Sequence, residues 1–235
     1  MTTSRKGDLL LPSGGYRRLK TFQLARLIYD ITVRFTAQYI PANSRTTDQM
    51  VQVARSGVQN IAEGSVVAAT SAKLELNLYN AARASLEELR LDYQDFLRQH
   101  SENEWQKDSP LYKEFVTRRI ARGADFKKFI DWSENAFSPS VQIRTNPYKS
   151  VLVANGTLLL IDTTVFFLKR QIAAKSRSFL EDGGFSERMY RQRKNFVSTS
   201  SSDGRLKKEN PENFFHIALD NVPEDVTFIE TPKIK

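Results

Sequence analysis

The side chains with the clearest capacity for chemistry in this 235-residue chain are cations. Arg17, Arg18 and Lys20 form one group, Lys169, Arg170, Lys175 and Arg177 a second, and Arg188, Arg191, Arg193 and Lys194 a third. Clustered guanidinium and ammonium groups neutralise phosphate oxygens, and the interleaved Tyr16, Phe185 and Tyr190 offer ring faces on which unpaired bases can stack. The bland alternative is a solvated basic surface with no partner. A second set, Arg55, Asn60, Glu63, Glu75, Arg83 and Glu87, lies beside apolar stripes and is expected to form an internal network of charge-assisted hydrogen bonds that fixes which helix faces pair.

Other chemistries are poorly provided for. A hydrolase needs converging carboxylates, a histidine set or an activated nucleophile, whereas the chain has two histidines, His100 and His216, and no motif linking them. Glu63, Glu75 and Glu87 lack the Glu-x-x-His spacing of di-iron bundles, and no cysteine is present to supply a thiolate ligand or a disulfide. Gly14-Gly15 and Gly183-Gly184 sit at helix boundaries, an ordinary capping use. The expectation is a binding or scaffolding protein that is not an enzyme and holds neither metal nor cofactor.

The net charge of +8 is unevenly distributed. Residues 1–40 carry seven Lys/Arg against two Asp/Glu, residues 41–168 fifteen against fifteen, residues 169–208 eleven against four, and residues 209–235 two against six. Positive charge therefore flanks a neutral middle, and an acidic tail follows. Val151 to Leu168 is interrupted by Asn155, Gly156, Thr157 and Asp162, so no membrane span is expected. Met1 to Gly7 has no apolar stretch of the secretory type; with the lack of cysteine, this gives a cytoplasmic expectation.

Helical periodicity supplies the elements that must position these groups. From Tyr16 to Pro41 the apolar residues Leu24, Leu27, Ile28, Ile31 and Phe35 fall on one stripe. Thr46 to Gln49 has capping-box spacing ahead of Met50, Ala54, Gly57 and Ile61. Ser71 heads a third helix with Tyr79, Ala82, Leu86, Leu89, Tyr93 and Phe96 in the 3, 4 seam of bundle packing, ending near His100. A fourth, from about Lys149 to Glu181, repeats Ala154, Leu158, Ile161, Val165, Leu168 and Ile172. Between the third and fourth helices, Ser109-Pro110 opens one amphipathic helix through Phe115, Ile120, Phe126, Phe129 and Trp132, expected to lie over an end of the bundle.

The predicted fold is all-α: an antiparallel up-down-up-down four-helix bundle over residues 14–184, with an insert at 101–148. A basic extension over 185–208, containing a short helix to Lys194 and a serine-rich linker at 198–202, precedes a disordered tail over 209–235 whose Phe214 and Phe215 could dock on a partner. In such a bundle the start of the first helix and the end of the fourth share an end, which gathers the cationic groups. Phe22, Leu74 and Leu78 lie outside the main stripes and predict a second covered face, hence a homo-oligomer.

Three motifs resemble a known family: Tyr16 to Ala25, the run Ala54-Arg55-Ser56-Gly57-Val58-Gln59-Asn60-Ile61-Ala62-Glu63-Gly64, and Ala82 to Leu89. Together they resemble the four-helix bundle proteins related to the 23S ribosomal RNA intervening sequence protein, a superfamily that includes the accessory variability determinant of diversity-generating retroelements. The resemblance covers about residues 14–100 and the fourth helix only by pattern, and the later segments look like the longer subset that carries a suffix. Where the family pattern has Pro-Ala before Asn-Ile-Ala-Glu-Gly, this chain has Val58-Gln59, which predicts a smoother second helix. The resemblance implies a bundle that assembles as a pentamer and, from the retroelement member, binding of nucleic acid beside a nucleic-acid enzyme. Two functions thus remain open: an oligomeric accessory protein binding RNA or DNA, and a helical protein scaffold with no nucleic-acid role.

Overall fold

A computed structural model of the protein describes residues 14–137 and 146–202. Among them every regular element is helical: a 3-10 turn over Gly15–Arg18, then α1 (Lys20–Tyr39), α2 (Arg45–Val67), α3 (Ala72–Gln99), α4 (Pro110–Arg118), α5 (Gly123–Phe137), α6 (Asn146–Asp182) and α7 (Phe185–Ser202). The chain divides into one compact unit ending at Met189 and a second beginning at Tyr190. The expected tail, with Phe214, Phe215 and His216, lies outside the described residues.

Within the first unit α1 packs on α2 and α6, and α3 packs on the same two helices. The apolar stripes meet in one core: Leu24, Ile28 and Phe35 of α1, Met50 and Ile61 of α2, Leu86 and Tyr93 of α3, and Leu158 and Ile161 of α6 are all buried. Contacts between α2 and α3 run in opposite senses, with Gly57 beside Leu86 and Gly64 beside Tyr79. Those between α3 and α6 do the same, with Glu75 paired to Lys175 and Arg90 to Asp162.

Several boundaries differ from expectation. The chain does not enter α1 at Tyr16: residues Gly15–Arg18 form the 3-10 turn, and Leu19, extended, separates it from Lys20. Phe22 belongs to the core, 8% exposed, with its ring edge-on to Tyr16 at 4.8 Å. The cap of α2 is Ser44, whose hydroxyl accepts from the Thr46 N–H, so the helix starts ahead of the Thr46–Gln49 spacing. Ser71 caps α3 by accepting from the Leu74 N–H at 3.2 Å, as its position predicts. In α7 the helix continues through the expected serine-rich linker to Ser202, and the Ser198 hydroxyl bonds back to the Asn195 carbonyl.

Among the described residues the insert holds two helices. Ser109 caps α4 with Pro110 behind it, but Arg119 adopts a left-handed backbone (φ 48) and turns the chain before α5 begins at Gly123. This turn lets Phe115 of α4 and Phe126 and Phe129 of α5 point at one another, with Phe115 edge-on to both. The insert lies along the flank of α1 and α6 and does not cap an end: Gly123 stands beside Leu27 in the middle of α1, and Lys149 of α6 bridges Asp131 and Glu134 of α5. Asn155, buried in α6, accepts from the Trp105 N–H at 2.8 Å and donates to the Asn103 carbonyl, tying down the start of the insert.

Close approach at Gly156 sets this docking. A Cβ there would lie 2.9 Å from Phe126 Cε2, and the ring, pinned against Phe115, has little room to retreat. Gly156→Ala is therefore expected to lower unfolding free energy by about 1 to 2 kcal/mol despite alanine's better helix propensity, read as a shift in the urea midpoint.

The helical stretch containing α6 is long and apolar enough to cross a membrane by length and composition, contrary to the reading of its interruptions, and 67% of its most apolar window is buried inside the protein. Of the polar residues that interrupt it, Thr157 donates to the Val153 carbonyl of its own helix, Asn155 bonds to the start of the insert and Asp162 pairs with Arg90 of α3.

Candidate nucleic-acid interface

The first two predicted cationic groups come together because four elements meet at one level. The Gly14 N–H donates to the Ser65 carbonyl, which ties the 3-10 turn to the end of α2. The Thr21 hydroxyl donates to Gln171 Oε1 at 2.8 Å, which places the start of α1 beside α6. Gln23 Nε2 donates to the Arg17 carbonyl at 3.0 Å, holding the turn that carries Arg17 and Arg18. Arg17, Arg18, Lys20, Lys169, Arg170 and Arg177 are all exposed here. Two of the guanidiniums lie over rings: Arg17 over Tyr16 at 5.0 Å and Arg170 over Phe166 at 5.7 Å. Such paired flat groups keep their positive charge and present broad stacking surfaces.

Lys175 and Arg188 behave differently from the rest of the predicted set. The Lys175 ammonium sits 2.8 Å from Glu75 Oε1, and Glu75 is 4% exposed, so this cation is committed to a buried carboxylate. Arg188 is half-buried, with Nη1 donating to the Gly183 carbonyl at 3.1 Å, and it clamps the turn between α6 and α7. Arg191, Arg193 and Lys194 are exposed on the part of α7 that belongs to the second unit.

The six residues expected to form one internal network separate. Arg55 and Glu63 are exposed on α2, because their positions fall off the stripe of Met50, Ala54, Gly57 and Ile61. Asn60 donates to the Ser56 hydroxyl, which also contacts Ser85 of α3 at 3.2 Å. Arg83 is half-buried, and Glu87 joins Arg90 and Asp162 in a half-exposed chain of ion pairs at 3.2 and 3.5 Å. Glu63, Glu75 and Glu87 thus do not converge. His100 sits at the end of α3 with Nδ1 2.7 Å from the Phe96 carbonyl of its own helix.

Burial creates a polar cluster that the periodicity does not announce. Tyr79 is buried one helical turn after Glu75, and its hydroxyl lies among Glu75, Gln171 and Ser65; burial, and secondarily the Glu75 charge, push its pKa well above the ordinary phenol range. Thr21, Ser65 and Gln171 are ordinary polar residues in their own helices; only packing makes them neighbours. The same holds for the Thr32 hydroxyl, which contacts the Tyr93 hydroxyl at 3.0 Å inside the core.

A carboxylate on α3 carries a measurable electrostatic cost. Burial, reinforced by Glu88 and Asp95, pushes the Asp92 pKa up to about 6 from its ordinary 3.8. A raised acid pKa means the folded state prefers the protonated form: the cost is absent below pH 4, grows between pH 4 and 6, and is complete above 6. Asp92→Asn is expected to raise stability at pH 7 by about 1 to 2 kcal/mol and to leave it unchanged at pH 4, measured by denaturant unfolding at both values.

A groove of about 600 Å³ runs beside the 3-10 turn and along the outer side of α1, walled opposite by α5. Its floor includes Leu27, Ile31, Phe35, Phe126 and Ile130, and its rim carries Arg17, Arg26, Arg34, Arg122, Lys127 and Lys149 against Asp30 and Asp131. Lys149 is taken by α5, its pKa raised chiefly by the hydrogen bond to Glu134. Arg122 and Lys127 come from the segment whose charges cancel in sequence, so net charge by segment gives no sign of this rim. Compared with protein families, with curated proteins and with solved structures, the chain matches none, so its functional assignment rests on its own residues and their geometry.

Proposed function

We propose that this chain is a non-enzymatic, oligomeric accessory protein that binds the backbone of RNA or DNA through the basic end of an up-down-up-down four-helix bundle. The observation that carries this reading is the juxtaposition of Arg17, Arg18 and Lys20 with Lys169, Arg170 and Arg177, enforced by the Thr21–Gln171 hydrogen bond. Exposed cations on several elements, without an ion-pair partner among the described residues, form the electrostatic footprint of a phosphate binder, and the Arg17–Tyr16 and Arg170–Phe166 pairs add surfaces suited to unstacked bases. Contacts are chiefly to phosphate, so sequence preference is weak.

Oligomerisation is supported by apolar side chains left outside the core: Leu74 is 45% exposed and Leu91 62%. A closed assembly, a pentamer by the family resemblance, would cover them and repeat the basic end several times, raising avidity. The test is fluorescence anisotropy of labelled single-stranded RNA and duplex DNA across a salt series, with light scattering on the same sample to count protomers. Binding that weakens linearly with log salt is expected. Absence of binding at 50 mM salt moves the reading to the protein-scaffold function, for which the same exposed apolar residues speak.

A further inference from the structure

We infer that the groove between α1 and α5 is a docking site for an acidic amphipathic helix of a partner protein. Its shape is the first reason. The α1 wall repeats every turn, from Phe22 through Arg26 and Leu27, Asp30 and Ile31, and Arg34 and Phe35 to Gln38 and Tyr39, so this wall runs straight for about 25 Å, faced over about 15 Å of it by residues 121–131, at ~1.5 Å per residue. Helix-in-groove recognition uses such a channel, with anchors at i, i+3, i+4 and i+7 entering the floor. A volume of about 600 Å³ holds a stripe of side chains and leaves the helix that carries them resting on the rim.

Charge decides the occupant. On the α1 side Arg26 and Arg34 are exposed, and on the α5 side Arg122 and Lys127. Among the described residues none of these four pairs with a carboxylate, whereas Lys149 at the far end already does. Cations on both edges of an apolar floor complement a helix whose apolar stripe is bordered on both sides by Glu or Asp. A nucleic acid fits less well: the floor residues Leu27, Ile31, Phe35, Phe126 and Ile130 are buried side chains, and none presents an open ring face for stacking. Arg17 at one end borders both this groove and the basic end, but Lys169, Arg170 and Arg177 take no part in the groove, and the docking argument uses none of the nucleic-acid residues.

The probe is a fluorescein-labelled helical peptide of about 18 residues with a Leu/Phe stripe flanked by Glu, compared with the same peptide flanked by Lys. Titrated by anisotropy into the full chain, the Glu-flanked peptide is expected to bind and the Lys-flanked one to bind at least about tenfold more weakly. The variant R26E/R34E/K127E changes only exposed residues and is expected to invert that preference. Equal affinity for the two peptides, no binding of either, or an unchanged preference in the variant overturns the proposal. So does displacement of the Glu-flanked peptide by a single-stranded oligonucleotide whose own binding the triple variant abolishes, which would make the groove part of a nucleic-acid track.

Discussion

Replacing Arg17, Arg18, Arg170 and Arg177 together with alanine is expected to lower nucleic-acid affinity at moderate salt by orders of magnitude. Each of these exposed cations, on reaching a phosphate, releases condensed counterions. If each neutralises about one phosphate, the slope of log K against log salt falls by roughly 3 to 4 per protomer engaged. Lys175→Ala provides the contrast. Its charge is already neutralised by buried Glu75, so the slope should hardly change even though the two residues share an end with the others. Anisotropy across a salt series reads both variants. A quadruple variant that keeps the wild-type slope removes the basic end from the interface, and a Lys175 variant that loses as much slope as a single arginine variant would mean the Glu75 pair opens on binding.

Leu86→Ala and Ile161→Ala are each expected to cost about 2 to 5 kcal/mol of unfolding free energy, the range for emptying a buried aliphatic site. Both residues are fully buried, on α3 and α6. Leu86 fills the space beside Gly57, where a Cβ would lie 3.4 Å from its side chain, so α2 has no side chain there to fill the void. Phe166→Ala, at a residue 54% exposed, removes a larger side chain with far less effect on the isolated fold. Chemical denaturation of the three variants gives the comparison, and near-neutral shifts at Leu86 and Ile161 would place the core elsewhere.

Periodicity made the core legible. Burial of the stripes on α1, α2, α3 and α6 follows from residues three and four apart sharing a helix face, a local relation that holds whatever the partner helix is. Caps were legible where one side chain decides them, as at Ser71 and Ser109, and misread at α2, where Ser44 intercepts the chain before Thr46. The two helices of the insert read as one because Phe115, Ile120, Phe126 and Phe129 keep an apolar rhythm across the left-handed turn at Arg119.

By itself, then, the sequence determined the helical class, the faces that enter the core and the cationic groups at the ends of the first unit, since all three depend on residue type and short-range spacing. Only the tertiary structure decided which charges remain available. Lys175 is spent on Glu75, a hundred positions away, while Arg26 and Arg34 of α1, Lys127 of α5 and Arg122 just before it face one groove without carboxylate partners among the described residues. The physical reason is that a charge acts over ångströms in space: its partners are set by which helices pack together, and no count along the chain contains that information.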